Sequence, residues 1–265
     1  QNWFIQGSSD FFAIESMEQA QLNNDEIKEY FDSINAYDKD DVYIFVKPRH
    51  LQPVKDGDYV DVLDEINVIS LLKERPKVKV IAMSDLHYNY LKKVLSNEII
   101  LIPHHHINFE RAKRTRNKTL VGGIIGSPSV VAHDIADKIK DSLAKVGIEF
   151  TRCFNARTRE EMVSYYKSID FLVIFNLNSN DRNIFYRHPT KIINAASFGI
   201  PSMAQPTAGY KEMEGFYIPI ETVDDVVREA MILKDVDCYN QFSEKIHQEA
   251  EKYNISKIIK LYQNL

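Results

Sequence analysis

Residues 186–212 read YRHPTKIINAASFGIPSMAQPTAGYKE, and this stretch predicts a short helix followed by an extended segment. Pro189 suits the first turn of the helix, because the N–H group that proline lacks has no intrahelical partner there in any case. Gly199 is a favourable helix stop, and Pro201 begins the extended segment SMA. A helix that stops at a glycine and leads into a strand is typical of an α/β protein.

The N-terminal end of this helix has the features of a phosphate-binding site. Lys191 and Asn194 are three residues apart, so a helix projects them on one face. Free N–H groups at a helix N-terminus attract anions, and a neighbouring lysine adds positive charge. The turn TAGY at residues 207–210 brings backbone toward the same place before Glu212. We therefore expect a phosphorylated ligand here; an ordinary α/β helix that stops at Gly199 is the alternative.

The whole stretch resembles the donor-binding core of GT-B glycosyltransferases. In that family Pro-x-Lys-x-x-Glu leads into an Ala-rich helix, followed by Gly-x-Pro and a small-residue turn that ends in Glu. Asn194 replaces the first Glu, which typically holds the ribose hydroxyls; an amide can still hydrogen-bond them, without charge. The matching residues are Pro189, Lys191, Gly199, Pro201, Gly209 and Glu212. The resemblance implies a donor site made of Gly126, Ser127, Arg157, Arg187, His188, Thr190, Lys191, Asn194, Gly209, Tyr210 and Glu212.

Strand-like apolar runs alternate with helical patterns on both sides of this stretch. The predicted strands are NWFIQ, DVYIFV, YVDVL, VKVIAM and EIILIP in the first half, and TLVGGIIG, IEFTRCF, FLVIF, SMA and FYIPI in the second. Such alternation predicts a mostly parallel sheet with helices on its faces. With the resemblance, it predicts an α/β fold of two Rossmann-like domains facing across a cleft, with a compact N-terminal half.

A basic stretch, RAKRTRNK at residues 111–118, is interpreted as the linker between these domains. Residues 1–110 would form the acceptor-side domain, and residues 111–265 the nucleotide-sugar-binding domain. A long terminal helix, predicted over residues 239–265, would pack back on the first domain, as it often does in GT-B proteins. A charged connector is usually solvated; contact with an acidic membrane or a phosphate is the alternative.

A glycine turn at Gly126 ends the strand TLVGGIIG. A strand, a glycine turn and a helix start let backbone approach a phosphate, although a lone glycine turn is a weak motif. Many retaining GT-B enzymes carry an Arg and a Lys just beyond this glycine, whereas this chain has Ser127 and Pro128. Either other cations contact the diphosphate, for which the candidates are Arg157, Arg182, Arg187 and His188, or these cationic roles are absent. The pair His188-Pro189 is also similar to the His-Pro pair of bacterial sialyltransferases.

Three consecutive histidines, His104 to His106, follow the last strand of the first half. On extended chain only His104 and His106 share a side, and a catalytic zinc takes about three protein ligands, so a metal site is disfavoured. A structural role is one remaining alternative. The other is that a single histidine, for which His105 is the candidate, enters the crevice beside the sugar or acceptor.

An inverting transferase needs a carboxylate base on the acceptor hydroxyl. Asp10, Asp64 and Asp85 each follow a predicted strand of the first half. Asp10 and Asp85 stand where helix N-caps are expected, so capping alone explains them. Asp64 is therefore the predicted base, and the sequence does not distinguish inversion from retention.

Composition narrows the class of protein. A length of 265 residues suits one large or two modest domains, and a net charge of −5 argues against nucleic-acid binding. Cys153 and Cys238 cannot form a disulfide framework, which indicates a reducing compartment. No apolar run approaches the ~20 residues of a membrane span. No signal peptide is recognised at the start, but the chain starts at Gln1 without Met, so the sequence leaves open whether residues precede it. We expect a cytoplasmic protein, with peripheral contact at the inner membrane face left open.

The predicted function is transfer of a sugar from a nucleotide-sugar to a glycan or lipid-linked acceptor, in surface polysaccharide or glycoconjugate synthesis. The resemblance implies that no cofactor or metal is needed, because GT-B enzymes hold the diphosphate with side chains and a helix terminus. Asp224-Asp225 stand at a helix start, where carboxylates are expected anyway. The alternatives are a sugar-nucleotide epimerase or hydrolase, and a nucleotide- or glycan-binding protein that lacks catalysis.

Overall fold

The computed structural model describes residues 3–5, 42–48, 51, 54–63, 67–126, 133–154, 156, 158–175 and 188–265. The chain divides into two compact units, Gln1–Ile102 and Pro103–Leu265. Among the described residues, each unit has one five-stranded sheet, and every strand pair in both sheets is parallel. The predicted α/β fold is confirmed.

The first unit adds its strands in chain order. The strands are β1 (Trp3–Ile5), β2 (Val42–Val46), β3 (Tyr59–Asp61), β4 (Lys79–Ala82) and β5 (Ile99–Leu101), and their order in the sheet is β1-β2-β3-β4-β5. Two described helices, α1 (Asn67–Lys73) and α2 (Asp85–Val94), connect strands. Ser84 caps α2 by accepting the His87 N–H, as its position predicts. The described strands of this sheet therefore contain no reversal of order.

The second unit adds its strands in a different order: β7 lies on one side of β6, and β8, β9 and β10 follow on the other side. Its elements are β6 (Val121–Ile125), α3 (His133–Ala144), β7 (Glu149–Cys153), α4 (Arg159–Ser168), β8 (Phe171–Ile174), α5 (Thr190–Ser197), β9 (Ser202–Ala204), a 3-10 helix (Ala208–Met213), β10 (Ile218–Pro219), α6 (Val223–Ile232), α7 (Val236–Ala250), a second 3-10 helix (Glu251–Tyr253) and α8 (Ile255–Tyr262). The strand order is β10-β9-β8-β6-β7. The order reverses between β6 and β8.

The predicted terminal helix is not continuous. It begins at Val236, and a 3-10 turn and the residue Asn254 separate α7 from α8. The Asn254 side chain accepts the Ser256 N–H and so starts a new helix. No helix in the described part of the chain is both long and apolar enough to cross a bilayer.

Two glycines in β6 let aromatic side chains pack directly on the sheet. A Cβ atom on Gly122 would lie 2.5 Å from the Phe171 ring, and one on Gly123 would lie 2.6 Å from the Tyr165 hydroxyl oxygen. That hydroxyl hydrogen-bonds backbone groups of β6 and β7, including the Ile124 N–H at 3.0 Å. The pair of glycines in TLVGGIIG therefore serves packing.

The basic stretch at residues 111–118 belongs to the second unit. The Arg114 guanidinium lies 3.3 Å from the fully buried carboxylate of Asp170, and Arg111 pairs with Glu251 at 2.8 Å. Arg116 donates to the carbonyl of Lys234 at 2.7 Å. These cations are held by carboxylate and carbonyl oxygens of the second unit, so the stretch is anchored there, in contrast to the solvated linker that its charge suggested.

Candidate functional site

The topology of the second sheet places one group of loops together. Because the strands are parallel, the residues that follow β6, β8 and β9 all lie at the same side of the sheet, at the carboxyl ends of the strands. Gly126 is the residue that follows β6. The helix α5 returns from the end of β8 to the start of β9, so its N-terminus lies at that edge too. Ligands of open α/β sheets bind at the carboxyl ends of strands, where the strand order reverses. Here the reversal lies between β6 and β8.

One face of the helix α5 is packed in the core, but its first turn is not capped. Ile192, Ile193, Ala195 and Ala196 are buried in the core of the second unit. Pro189 is the N-cap residue, and no side chain in the described part of the chain makes a capping hydrogen bond. The helix thus presents N–H groups at the edge where a ligand is expected, which favours an anion.

Lys191 lies in this first turn and is half-buried. Burial lowers the pKa of its ammonium group, because removal from water disfavours the charged form. No carboxylate among the described residues forms an ion pair with it. A half-buried ammonium beside helix N–H groups gains stability when an anion binds.

His188 and Glu212 form the second part of the site. The Nε2 atom of His188 lies 3.3 Å from Oε1 of Glu212, and the two side chains are 4% and 17% exposed. The orientation is not that of a hydrogen bond: both atoms are buried and have no hydrogen-bond partner in the described part of the chain. The Thr190 hydroxyl lies 2.9 Å from His188 Nδ1 and fixes the ring.

A third buried polar atom lies just before the 3-10 helix that carries Glu212. The Thr207 hydroxyl oxygen is buried without a hydrogen-bond partner among the described residues. Buried polar groups are normally hydrogen-bonded, so these three atoms have capacity for a partner such as water or a polar ligand. Gly209 and Tyr210 follow, and both are buried. The Tyr210 ring packs edge-on against Tyr217, with centroids 6.0 Å apart.

Asn194 has a different environment from the predicted one. Its side chain is buried, and its Oδ1 accepts the Ile107 N–H at 3.0 Å. It also hydrogen-bonds the Tyr166 hydroxyl. Its Oδ1 is thus engaged inside the second unit, and the ribose contact that the resemblance implied stays a prediction. The Gly126 N–H is engaged as well, because it donates to the Cys153 carbonyl at 3.1 Å.

The three histidines separate, and the one near α5 is His104. Its ring lies 5.3 Å from the His188 ring, whereas His105 is exposed and packs on Phe109. His106 is buried, and burial lowers its pKa to about 4. No three His, Cys, Asp or Glu side chains in the described ranges are grouped as metal ligands.

Several predicted site residues lie outside the described residues. They are Asp10, Asp64, Ser127, Pro128, Arg157, Arg182 and Arg187. The described donor-site candidates that the structure brings to one region are His188, Thr190, Lys191, Gly209, Tyr210 and Glu212.

No protein-family model matches the sequence, and no curated protein matches it. Solved structures do match the fold. A mutant of S. aureus TarM in complex with fondaparinux, α-GlcNAc-glycerol and UDP superposes with a TM-score of 0.59, at 13% identity over 84% of this chain and 55% of TarM. WaaG, a glycosyltransferase involved in lipopolysaccharide biosynthesis, gives 0.57 at 11% identity over 88% of this chain and 79% of WaaG.

The chain has the fold of GT-B glycosyltransferases. The Gap123 glycosylation-associated complex from Streptococcus agalactiae is a further match, with a TM-score of 0.59 at 10% identity over 88% of this chain and 56% of the matched chain. The GT-B chain therefore spans little more than half the length of TarM and of that Gap123 chain. At these identities the likeness concerns the fold.

Proposed function

We propose that this GT-B chain transfers a sugar from a nucleotide-sugar donor to a glycan or lipid-linked acceptor. The observation that carries the proposal is Lys191, a half-buried ammonium at an uncapped helix N-terminus, with no ion-pair partner among the described residues. The helix follows β8, one of the two strands between which the strand order reverses, and ligands of such sheets usually bind at the carboxyl ends of strands near that reversal. The second unit would then bind the donor, and the first would serve the acceptor.

The site is suited to stabilise a leaving diphosphate. Glycosyl transfer places negative charge on the leaving group, and fixed donors aimed at that charge lower the barrier. The α5 N–H groups and Lys191 would receive the diphosphate. Glu212 would accept hydrogen bonds from ribose or sugar hydroxyls, while His188 positions its carboxylate. Among similar structures TarM was solved with UDP, which supports a nucleoside diphosphate as the first ligand to test.

The remaining roles belong to the same proposal. Asp64 is the candidate base and His105 a second catalytic candidate, while Arg157 and Arg187 would add charge to the diphosphate site. Reaction without a metal ion fits a site whose positive charge comes from protein groups. A cytoplasmic location, with peripheral contact at the inner face of the membrane, fits a lipid-linked acceptor. Synthesis of surface glycans is the process that we infer.

A nucleotide-binding protein without catalysis is the second candidate. Two observations favour it: the Asn194 carbonyl oxygen and the Gly126 N–H are both engaged by backbone groups of the second unit. A site that retains Lys191 and Glu212 could bind a nucleotide-sugar while lacking the groups that promote its cleavage. A sugar-nucleotide epimerase or hydrolase would also retain the donor site.

The test is sugar release from a panel of UDP-, GDP- and CMP-sugars, with and without a mixture of glycan and lipid-linked acceptors. The transferase proposal expects release that depends on acceptor and falls at least 10-fold in Lys191→Ala. The control is Lys140→Ala, which removes an exposed lysine of α3. Binding without turnover would identify the second candidate. Absence of binding by every nucleotide-sugar would overturn both.

A further inference from the structure

Residues 103–114, here called the entry segment, carry the chain from the first unit into the second. Pro103 follows directly on the last residue of the first unit. Three hydrogen bonds join the segment to the helix α5 and its end. The Ile107 N–H donates to Asn194 Oδ1 at 3.0 Å, Asn108 Nδ2 donates to the Ser197 carbonyl at 2.7 Å, and the Arg114 N–H donates to the Phe198 carbonyl at 2.8 Å.

Asn108 fixes the shape of the segment as well as its position. Its side chain is fully buried, and its amide also bonds both the N–H and the carbonyl of Ala112, at 2.9 and 2.7 Å. The loop from Asn108 to Ala112 is thereby closed on itself and attached to α5. An amide suits this position, because it donates and accepts at once and carries no charge that burial would penalise.

Asn194 makes the attachment nearest to the candidate ligand site. It lies three residues after Lys191 on the same helix, so the ligand-binding turn and the attachment point are about one turn apart. A carboxylate at this buried position would be costly. The asparagine at this position accepts the Ile107 N–H without burying a charge.

We infer that Asn194 and Asn108 are positioning residues that couple anion binding at α5 to the entry segment. The inference rests on the proposed function, because it takes the α5 N-terminus as the diphosphate site. An anion that orders the first turn of α5 also orders Asn194, and through it the Ile107 N–H. Coupling of this kind is reciprocal: a fixed entry segment favours the conformation of α5 that binds the anion. Occupation of the donor site is thereby transmitted to the first residues of the second unit.

Hydrogen exchange of the whole chain, with and without millimolar inorganic pyrophosphate, tests this coupling. Exchange of peptides covering residues 103–114 is followed by mass spectrometry in the wild type, Asn194→Ala and Ser243→Ala. Ser243 donates a buried hydrogen bond to the Gly199 carbonyl at 2.6 Å without contacting the entry segment through it, so its variant is a matched control. Calorimetric titration measures pyrophosphate binding to each protein.

Pyrophosphate should slow exchange of the entry segment about fivefold or more in the wild type and in Ser243→Ala. In Asn194→Ala that protection should disappear while pyrophosphate still binds. A purely structural role of Asn194 would change exchange equally with and without pyrophosphate.

Binding without protection in the wild type, or equal protection in Asn194→Ala, would overturn the inference and leave the proposed function intact. Absence of protection in the wild type overturns the inference even if Asn194→Ala does not fold. A wild type that binds no pyrophosphate would overturn the proposed function, and the inference with it.

Discussion

His188 Nε2 and Glu212 Oε1 lie 3.3 Å apart and are both buried, yet neither atom makes a hydrogen bond in the described part of the chain. Two elements that are separate in the sequence, the start of α5 and the 3-10 helix, thus contribute one polar pair. The pair places a carboxylate with unused acceptor capacity beside the proposed diphosphate site. A ligand with hydroxyl groups is the partner that this carboxylate suits.

Glu212→Gln should therefore weaken binding of a nucleoside diphosphate roughly 10-fold, because hydrogen bonds to a charged group are stronger than those to an amide. Binding of pyrophosphate, which has no ribose, should change little. Calorimetric titration of UDP, GDP, CMP and pyrophosphate measures both effects. Glu214→Gln is the control, since Glu214 is exposed. Equal losses for nucleotide and pyrophosphate would show that Glu212 does not contact the ribose.

Arg114→Ala should destabilise the second unit by about 3–5 kcal/mol, because it leaves the buried Asp170 carboxylate without its cation. The adjacent Lys113 provides a matched control, since its ion pair with Glu244 is exposed and should contribute only about 0–1 kcal/mol. Thermal or denaturant unfolding of both variants gives the comparison. Similar small losses in the two would mean that Asp170 is stabilised by its backbone hydrogen bonds alone.

This difference between neighbouring cations shows what the sequence could and could not predict. The strand and helix periods were readable, and they predicted the α/β fold and the position of α5. The partners of residues 111–118 were not, because Arg114 pairs with Asp170 and Arg111 with Glu251, which are remote in the sequence. Charge alone therefore suggested a solvated linker.

The candidate site divides in the same way. Lys191 and Glu212 are predicted by the resemblance of residues 186–212 to the GT-B donor-binding core. The environment of Asn194 is not, because it is decided by Ile107, 87 residues away. The place of His104 beside His188 is not predicted either, because strand alternation groups His104 with His106 without saying which side faces α5. The local sequence pattern predicts where a helix ends and which cations are exposed. It does not predict which buried amide side chain is hydrogen-bonded to a residue remote in the sequence, as Asn194 is to Ile107.

His106 should make stability depend on pH. Burial lowers its pKa to about 4, whereas an unfolded histidine titrates near 6.5. Between these values the unfolded chain binds a proton that the folded chain does not. The free energy of unfolding should therefore fall as the pH falls from 6.5 to 4, by at most about 3 kcal/mol from this group.

The measurement is denaturant unfolding at pH 7 and pH 4.5 for His106→Gln and the exposed control His105→Gln. The loss between the two pH values should be about 2–3 kcal/mol smaller in His106→Gln than in the wild type. The control should match the wild type. An unchanged pH dependence in His106→Gln would show that His106 binds a proton as readily in the folded chain as in the unfolded chain.

Anion binding should raise the lowered pKa of Lys191, because a bound phosphate favours the charged form. At alkaline pH, as the pH rises through that lowered pKa, the wild type should take up a proton when it binds pyrophosphate, and its affinity should fall. Calorimetric titration in buffers of different ionisation enthalpy detects this uptake. Lys191→Ala should show none at the same pH, and equal uptake in both proteins would assign it to another group.

The central claim is that the α5 N-terminus and Lys191 bind the diphosphate of a nucleotide-sugar, and calorimetric titration of Lys191→Ala tests it most directly. A charge-assisted hydrogen bond contributes about 1.5–3 kcal/mol, so Lys191→Ala should bind pyrophosphate and the nucleoside diphosphates roughly 10- to 100-fold more weakly. Lys140→Ala should bind as the wild type does, and circular dichroism should show all three proteins folded alike. If folded Lys191→Ala binds these ligands as tightly as the wild type, the diphosphate site is not at α5.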